Sequence, residues 1–454
     1  MKHLSAANSH KLDIALTHRG WGLVIFLVLM WLMFYCTFTL GAYPQEWIQN
    51  GVSALSRYIV RTVPEGMLKD LLVDGVINGV GSVVVFIPNI LILFLFIAFF
   101  EESGYMQRAA RLMDRYMNRV GLHGQSFLPL VMAFGCNVPA ILSTQTISDR
   151  RYRLITILIN PFMSCSARLP VYILMIAAFF PEHSVTVFVF IYIFGITTAI
   201  ITALIIRRFI APVQSNKVKV KYQLSPYRLP SIRSTMNFMW EKALQYLKKI
   251  SSVVLVAVII IWALNYFPRQ TAHSLDYETQ ISQIKQKHQD GLISKTQMAA
   301  EIRQTELAKQ SEHQQNSYLG RIGRFVEPAM RPLGFDWKMS IALLSGFPAK
   351  EFIVGSLGVL YQIEKADEHS SALIDRLNNE RYTQGLRAGE KVFDKAVALA
   401  FLIFVLLYFP CVASIAAIRK ETGGWKWALF AVTYTTALAW ILSFTVYRIA
   451  SIFL

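Results

Sequence analysis

Three of the four cysteines stand where proline or glycine marks a break in a helix. Cys136 lies in Phe134-Gly135-Cys136-Asn137-Val138-Pro139-Ala140. Gly135 lets the chain turn, and Pro139 removes an amide donor and frees a carbonyl. Cys165 lies in Asn160-Pro161-Phe162-Met163-Ser164-Cys165-Ser166-Ala167-Arg168-Leu169-Pro170, and Cys411 follows Pro410. A thiol beside unpaired carbonyls is a transient seat for a soft or borderline divalent cation; iron, zinc and copper all fit, and ligand type alone selects none of them. Asn137, Pro139, Ser164, Ser166 and Arg168 line the same strings and are candidates for the path such a cation would take. Cys36 sits in a smooth apolar stretch and reads as a small packing residue. Packing is also the alternative for the other three.

Charged residues inside apolar segments are functional candidates by default. Glu101 and Glu102 close an apolar run over 79–100, where an interfacial cap explains them equally well. Lys350 and Glu351 lie in Gly346-Phe347-Pro348-Ala349-Lys350-Glu351, inside a second apolar stretch broken by Gly and Pro. His123, in Gly121-Leu122-His123-Gly124, reads as a hydrogen-bonded loop histidine. The sequence has no Gly-x4-Gly-Lys-Ser/Thr phosphate loop, no His-Glu-x-x-His and no defensible Ser/His/Asp set, so no enzyme activity is expected.

These residues need a scaffold, and composition names its class. The chain has 454 residues, 54% hydrophobic and 16% charged. Soluble domains average about 25% charged. Too few charges remain to cover several soluble surfaces, so the expected fold is an all-α polytopic membrane protein. Spans of about 20 apolar residues are expected near 21–43, 79–100, 154–180, 184–206, 249–267, 393–418 and 426–449. The stretches 126–147 and 338–360 are apolar but broken, and 52–72 reads as an amphipathic interfacial segment. No cleavable signal peptide is expected.

The net charge of +17 follows topology rather than a nucleic-acid partner. Residues 207–249 hold ten basic side chains against Glu241 alone, while 268–337 hold nine basic and eight acidic, and 361–396 six and seven. The positive-inside rule makes the N-terminus, 207–249 and 419–426 cytoplasmic and the balanced loops external. That assignment closes only if 126–147 and 338–360 are re-entrant, with breaks near Gly135 and Pro139 and near Gly346 and Pro348. Each is preceded by one span and followed by two. The two units then have opposite topology, which is an inverted repeat with the site near the membrane midplane. The expected organisation is a cytoplasmic N-terminus over 1–20, a first span and external amphipathic segment over 21–78, a first gate unit over 79–206, a basic cytoplasmic loop over 207–248, and a second gate unit over 249–454. The last carries a polar external helical insertion at about 268–337.

The strings Phe86-Ile87-Pro88, Glu101-Glu102-Ser103-Gly104-Tyr105-Met106, Gly135-Cys136-Asn137-Val138-Pro139-Ala140, Ser164-Cys165-Ser166-Ala167-Arg168-Leu169-Pro170, Gly346-Phe347-Pro348-Ala349-Lys350-Glu351 and Pro410-Cys411 occur in order. Together they resemble the membrane domain of the ferrous iron transporter FeoB family, from about residue 12 to the C-terminus. The resemblance implies Fe²⁺ as transported substrate with no permanently bound cofactor, across a bacterial inner membrane. It carries over Cys136, Cys165 and Cys411 as metal-handling residues. The family also has an N-terminal GTP-binding domain, and this sequence departs from it there. Three explanations stand for that departure: a separate polypeptide supplies the GTPase, the chain is a fragment, or transport does not depend on GTP. The expected partners are Fe²⁺, the lipid bilayer and, in the first case, a GTP-binding protein or domain in trans, and a homo-oligomer is left open. The competing readings are a gate-domain transporter of an organic solute such as a nucleoside, and a non-transporting membrane subunit.

Overall fold

The computed structural model describes residues 18, 21–64, 66–210, 231–268, 276–363, 367, 369–382 and 389–453. The expected cytoplasmic N-terminus, apart from His18, and 211–230 of the expected basic loop lie outside the described residues, as do 269–275 of the polar insertion; the rest of that loop, apart from Ser231, belongs to the helices Ser184–Ile210 and Ile232–Tyr266.

Among the described residues the secondary structure is helical, apart from an isolated bridge between Arg381 and Lys391. Five helical stretches are long and apolar enough to cross a membrane: Trp21–Thr62, Arg150–Phe179, Pro181–Phe209, Lys395–Thr422 and Trp425–Phe453. A sixth candidate is the pair Ile87–Glu102 and Tyr105–Arg119, bent by 85°. The turn between them is made at Gly104, whose φ of 78° only glycine adopts readily. At the expected span 249–267 the apolar part is the shorter Val253–Tyr266, the end of the longer helix Ile232–Tyr266, and it falls short of the length of the other candidates. The protein is an all-helical, multi-pass membrane protein. In the most apolar window of Lys395–Thr422, 83% is enclosed by protein, against 22% for Trp21–Thr62 and for Trp425–Phe453. The first lies among other helices, while the other two present apolar side chains outward, as lipid-facing helices do.

The first helix differs from the sequence expectation. It runs unbroken over the 42 residues Trp21–Thr62, through Pro44, instead of ending near 43 before a separate amphipathic segment. At about 1.5 Å per residue it far outruns the hydrocarbon layer. Tertiary packing carries it past the local stop signals. Gly41 lies so close to Ile87–Glu102 that an added Cβ would stand 1.9 Å from Asn89 Oδ1, and Asn89 Nδ2 donates to Gln45 Oε1 at 3.1 Å.

One compact unit contains residues 1–166, 192–258 and 412–434. Within it the apolar stretch 126–147 is a broken helix, Phe127–Met132 and Asn137–Ser143, as the sequence predicts. The following helix, Arg150–Ile159, starts on Asp149, whose carboxylate accepts from Arg151 N at 2.7 Å. The 137–143 helix packs against Val412–Thr422. At that end Glu421 pairs with Arg153 and accepts from Gln145 Nε2 at 2.7 Å.

The second unit contains 167–191, 259–411 and 435–454. Here 338–360 is broken into Trp337–Ser345 and Phe352–Leu360. Asp336 caps the first piece through Met339 N at 2.8 Å, and Asp394 caps Lys395–Leu407 through Val397 N at 2.7 Å. The polar insertion forms the expected hairpin, Tyr277–Gln289 and Lys295–Asn316, turning at Gly291 with φ 74°. Its second helix is more than a solvated strut. Gln314 is buried and donates to Ser356 Oγ at 3.2 Å, and the His313 ring bonds the Tyr266 carbonyl at 3.0 Å.

Candidate functional site

The first break is made by three backbone hydrogen bonds that stop one helix and one proline that starts the next. Phe134 N donates to the Val131 carbonyl at 3.2 Å, and Gly135 N and Cys136 N both donate to the Met132 carbonyl, at 3.0 and 3.1 Å. Cys136 is extended, with φ −153° and ψ 128°, and stands at the N-cap of the 137–143 helix. Pro139 is the third residue of that helix, where an amide has no acceptor within the helix, so its missing N–H costs little.

The carbonyl four residues before Pro139 belongs to Gly135, and it is not left unpaired as the sequence suggests. Ser166 closes on it twice, through its backbone N–H at 3.3 Å and its hydroxyl at 3.0 Å. A buried carbonyl without a donor is costly, and the fold supplies one from 31 residues away. As a result Cys136 and Cys165 each stand one residue from the same hydrogen-bonded pair. Both thiols are half-buried and unbridged.

Two oxygens at this break do lack partners. The amide oxygens Asn137 Oδ1 and Asn160 Oδ1 are buried without a hydrogen bond. Asn137 is 4% exposed and Asn160 fully buried, held by its Nδ2 on the Pro129 carbonyl at 3.4 Å. Asn160 was not singled out by the sequence reading, although an Asn-Pro pair inside an apolar run was the signal for it. Ser164 and Arg168 are buried as well, each 1% exposed. Thiols with neutral amide oxygens suit a borderline divalent cation without fixing it in place. Among the described residues no three His, Cys, Asp or Glu side chains gather into a metal-holding group. A cation here would rely on amide and backbone oxygens besides the sulfurs.

The second break carries charge instead of thiol. Lys350 is 2% exposed, and its ammonium donates to the Phe409 carbonyl at 2.9 Å. The same nitrogen lies 3.3 Å from the centroid of the Tyr408 ring and 4.6 Å from that of Phe409. Phe347 packs edge-on against Phe409, with centroids 5.4 Å apart. Glu351 Oε2 is buried with no hydrogen-bond partner. Cys411, half-buried, lies two residues beyond the carbonyl that Lys350 holds.

The remaining candidates are engaged in other ways. Glu102 ends its helix and accepts from Ser234 Oγ at 2.6 Å and Thr235 Oγ1 at 2.9 Å, which fastens it to the start of the 232–266 helix. His123 caps the turn Gly124–Ser126, accepting from Gln125 N at 3.2 Å.

An all-helical membrane protein with two broken segments, each closed by a proline-flanked break elsewhere in its own unit, is the class that fold and site define. The gate family, described as nucleoside recognition, matches residues 83–179 and 247–425, which include both breaks, and the chain belongs to that family. Residues 188–242 match the family described as ferrous iron transport protein B C terminus. The chain is 45% identical over 98% of its length to an Fe(2+) transport protein A/Fe(2+) transporter FeoB fusion protein of Porphyromonas gingivalis, covering 52% of that protein. It is 37% identical to the Fe(2+) transporter FeoB of Campylobacter jejuni, covering 98% of this chain and 66% of that one. The Staphylococcus aureus transporter of the same name is 36% identical, with 98% and 60% covered. The chain thus spans about half to two thirds of the length of these curated relatives. No solved structure matches it.

Proposed function

We propose that this chain carries Fe²⁺ across the bacterial inner membrane, with its N-terminus in the cytoplasm. The observation that carries the reading is the first break. There the Ser166–Gly135 bonds bring two thiol-bearing segments together beside two buried, unpartnered amide oxygens. Cys136 and Cys165 take the ion as it sheds water, with Asn137 and Asn160 as oxygen donors and Pro139 fixing the break. Ser164 precedes Cys165 in the chain, and Arg168 follows it. Cys411 acts at the second break, with Lys350 and Glu351. Neutral amide oxygens and half-buried thiols bind weakly enough to release, which a conduction site needs and a storage site does not.

The names of the relatives support iron over an organic solute. The absence of a catalytic constellation from the sequence supports transport over chemistry. A GTP-binding protein or domain is the partner we propose for energising or gating the path. The inverted repeat supplies two gates of opposite orientation, which alternating access requires.

The test is metal uptake under reducing conditions by cells expressing the chain, with Fe²⁺, Mn²⁺ and Zn²⁺ in competition, with and without a co-expressed candidate GTPase. The double variant Cys136→Ser plus Cys165→Ser loses Fe²⁺ uptake at unchanged membrane abundance. Uptake untouched by both substitutions would return the cysteines to packing residues and favour the organic-solute reading.

A further inference from the structure

The second gate contains a cation seat, and the protein itself fills it. We infer that the Lys350 ammonium is a tethered plug. It occupies a position built for a cation from the Phe409 carbonyl and the Tyr408 face, and a transported cation must displace it to reach Cys411. The inference rests on reading the breaks as a cation path.

Four features converge. The ammonium is held by a carbonyl at 2.9 Å and a ring centroid at 3.3 Å, two kinds of donor that select positive charge. Lysine is strongly hydrated and is rarely buried without a purpose; this one is 2% exposed. Glu351, the next residue in the chain, keeps one side-chain oxygen buried and without a hydrogen bond. The seat also lies at the break between Lys395–Leu407 and Val412–Thr422, near the middle of the most enclosed candidate span.

The two breaks therefore close differently. In the first, a neutral hydroxyl and amide of Ser166 hold the Gly135 carbonyl. In the second, a full charge on a flexible stem holds the Phe409 carbonyl. A neutral clasp does not repel an incoming cation, whereas an ammonium does. The second gate consequently opens only when Lys350 leaves, and the four-carbon stem lets it leave without unfolding the helix. Selectivity follows, because a monovalent ion gains less from the carbonyl and ring than a divalent ion and displaces the plug less well.

The test uses the full chain with Cys411 as its sole cysteine, carrying Cys36→Ala, Cys136→Ser and Cys165→Ser. The reaction rate of Cys411 with a small cationic methanethiosulfonate reports whether the gate is open and needs no transport. Lys350→Met keeps the apolar stem and removes the charge. The labelling rate should rise about tenfold, as when a desolvated cation–π contact and a charged hydrogen bond cease to hold a two-state gate shut. Tyr408→Leu removes the ring and leaves the lysine, and should act in the same direction. Lys350→Arg restores charge and reach and should stay within about threefold of the parent. If Lys350→Met does not fold, Tyr408→Leu against Lys350→Arg decides. Variant rates within twofold of the parent, in protein that elutes as a single species, would overturn the plug. In the four-cysteine chain, Lys350→Met should also pass Na⁺ or K⁺ that the parent excludes. Failure of the parent to carry any metal would count against the iron reading and leave the labelling result standing.

Discussion

At the scale of single residues, the first break turns on one hydroxyl. Ser166 Oγ reaches the Gly135 carbonyl across 31 residues of sequence, while Ser143 Oγ reaches only the Ala140 carbonyl in its own helix. Removing the first loosens the joint that brings the segments of Cys136 and Cys165 together, and removing the second leaves helix geometry intact. Ser166→Ala keeps the backbone bond and loses the hydroxyl bond, at a cost of about 1 kcal/mol. Thermal unfolding of the purified protein should fall by about 1 °C and Fe²⁺ uptake should drop several-fold, with Ser166→Thr recovering most of both. Ser143→Ala serves as the matched control and should be silent. Equal behaviour of the two alanine variants would mean that the joint does not position the thiols. The break itself was legible, because Gly135 and Pro139 are local signals. Its closure was not, since nothing local marks Ser166 as the donor that finds Gly135.

At the scale of elements, the helices that carry the first break are tied together at their polar end. Glu421 follows the break bearing Cys411 in the sequence, yet it packs in the unit of Cys136, where it pairs with Arg153 and accepts from Gln145. Its side chain is 2% exposed, so the pair is far from an ordinary surface salt bridge. Removing the acid takes a buried acceptor from a partly exposed guanidinium and an exposed amide. Glu421→Ala should destabilise the protein by about 2 kcal/mol, discounted from the fully buried case because Arg153 remains partly in water. Arg153→Met on the same background should restore part of that loss. A thermodynamic cycle built from unfolding measurements reads the coupling directly, and simple additivity of the two substitutions would show that the pair holds nothing. Arg153 is one of the three arginines at 150, 151 and 153, a basic cluster that is plain in the sequence. There is no sign in it that Glu421, 268 residues away, would meet Arg153. The unbroken helix Trp21–Thr62 has the same lesson: Gly41 and Pro44 look like a terminus locally, and contact with Asn89 overrides them.

At the scale of the whole molecule, the prediction from the sequence that can fail most clearly is orientation. Charge counting requires the two broken segments to be entered from opposite faces, and the local structure is compatible with that pattern because both stretches break where Gly and Pro fall. Re-entrant segments return to the face they came from, while ordinary spans do not. Ser148 follows the first broken segment and is exposed, and Gln362 follows the second with a left-handed φ of 61°, which places it at the end of its helix. Single cysteines at these positions, Ser148→Cys and Gln362→Cys, in a background without the native four, should label from opposite sides. An impermeant maleimide added to intact spheroplasts should reach Gln362→Cys and miss Ser148→Cys, and inverted vesicles should give the reverse. Labelling of Ser148→Cys from outside would make 126–147 a spanning helix. That would put the ten basic residues of 207–249 on the wrong side of the membrane and dissolve the inverted repeat. Labelling as expected fixes the face from which each gate opens.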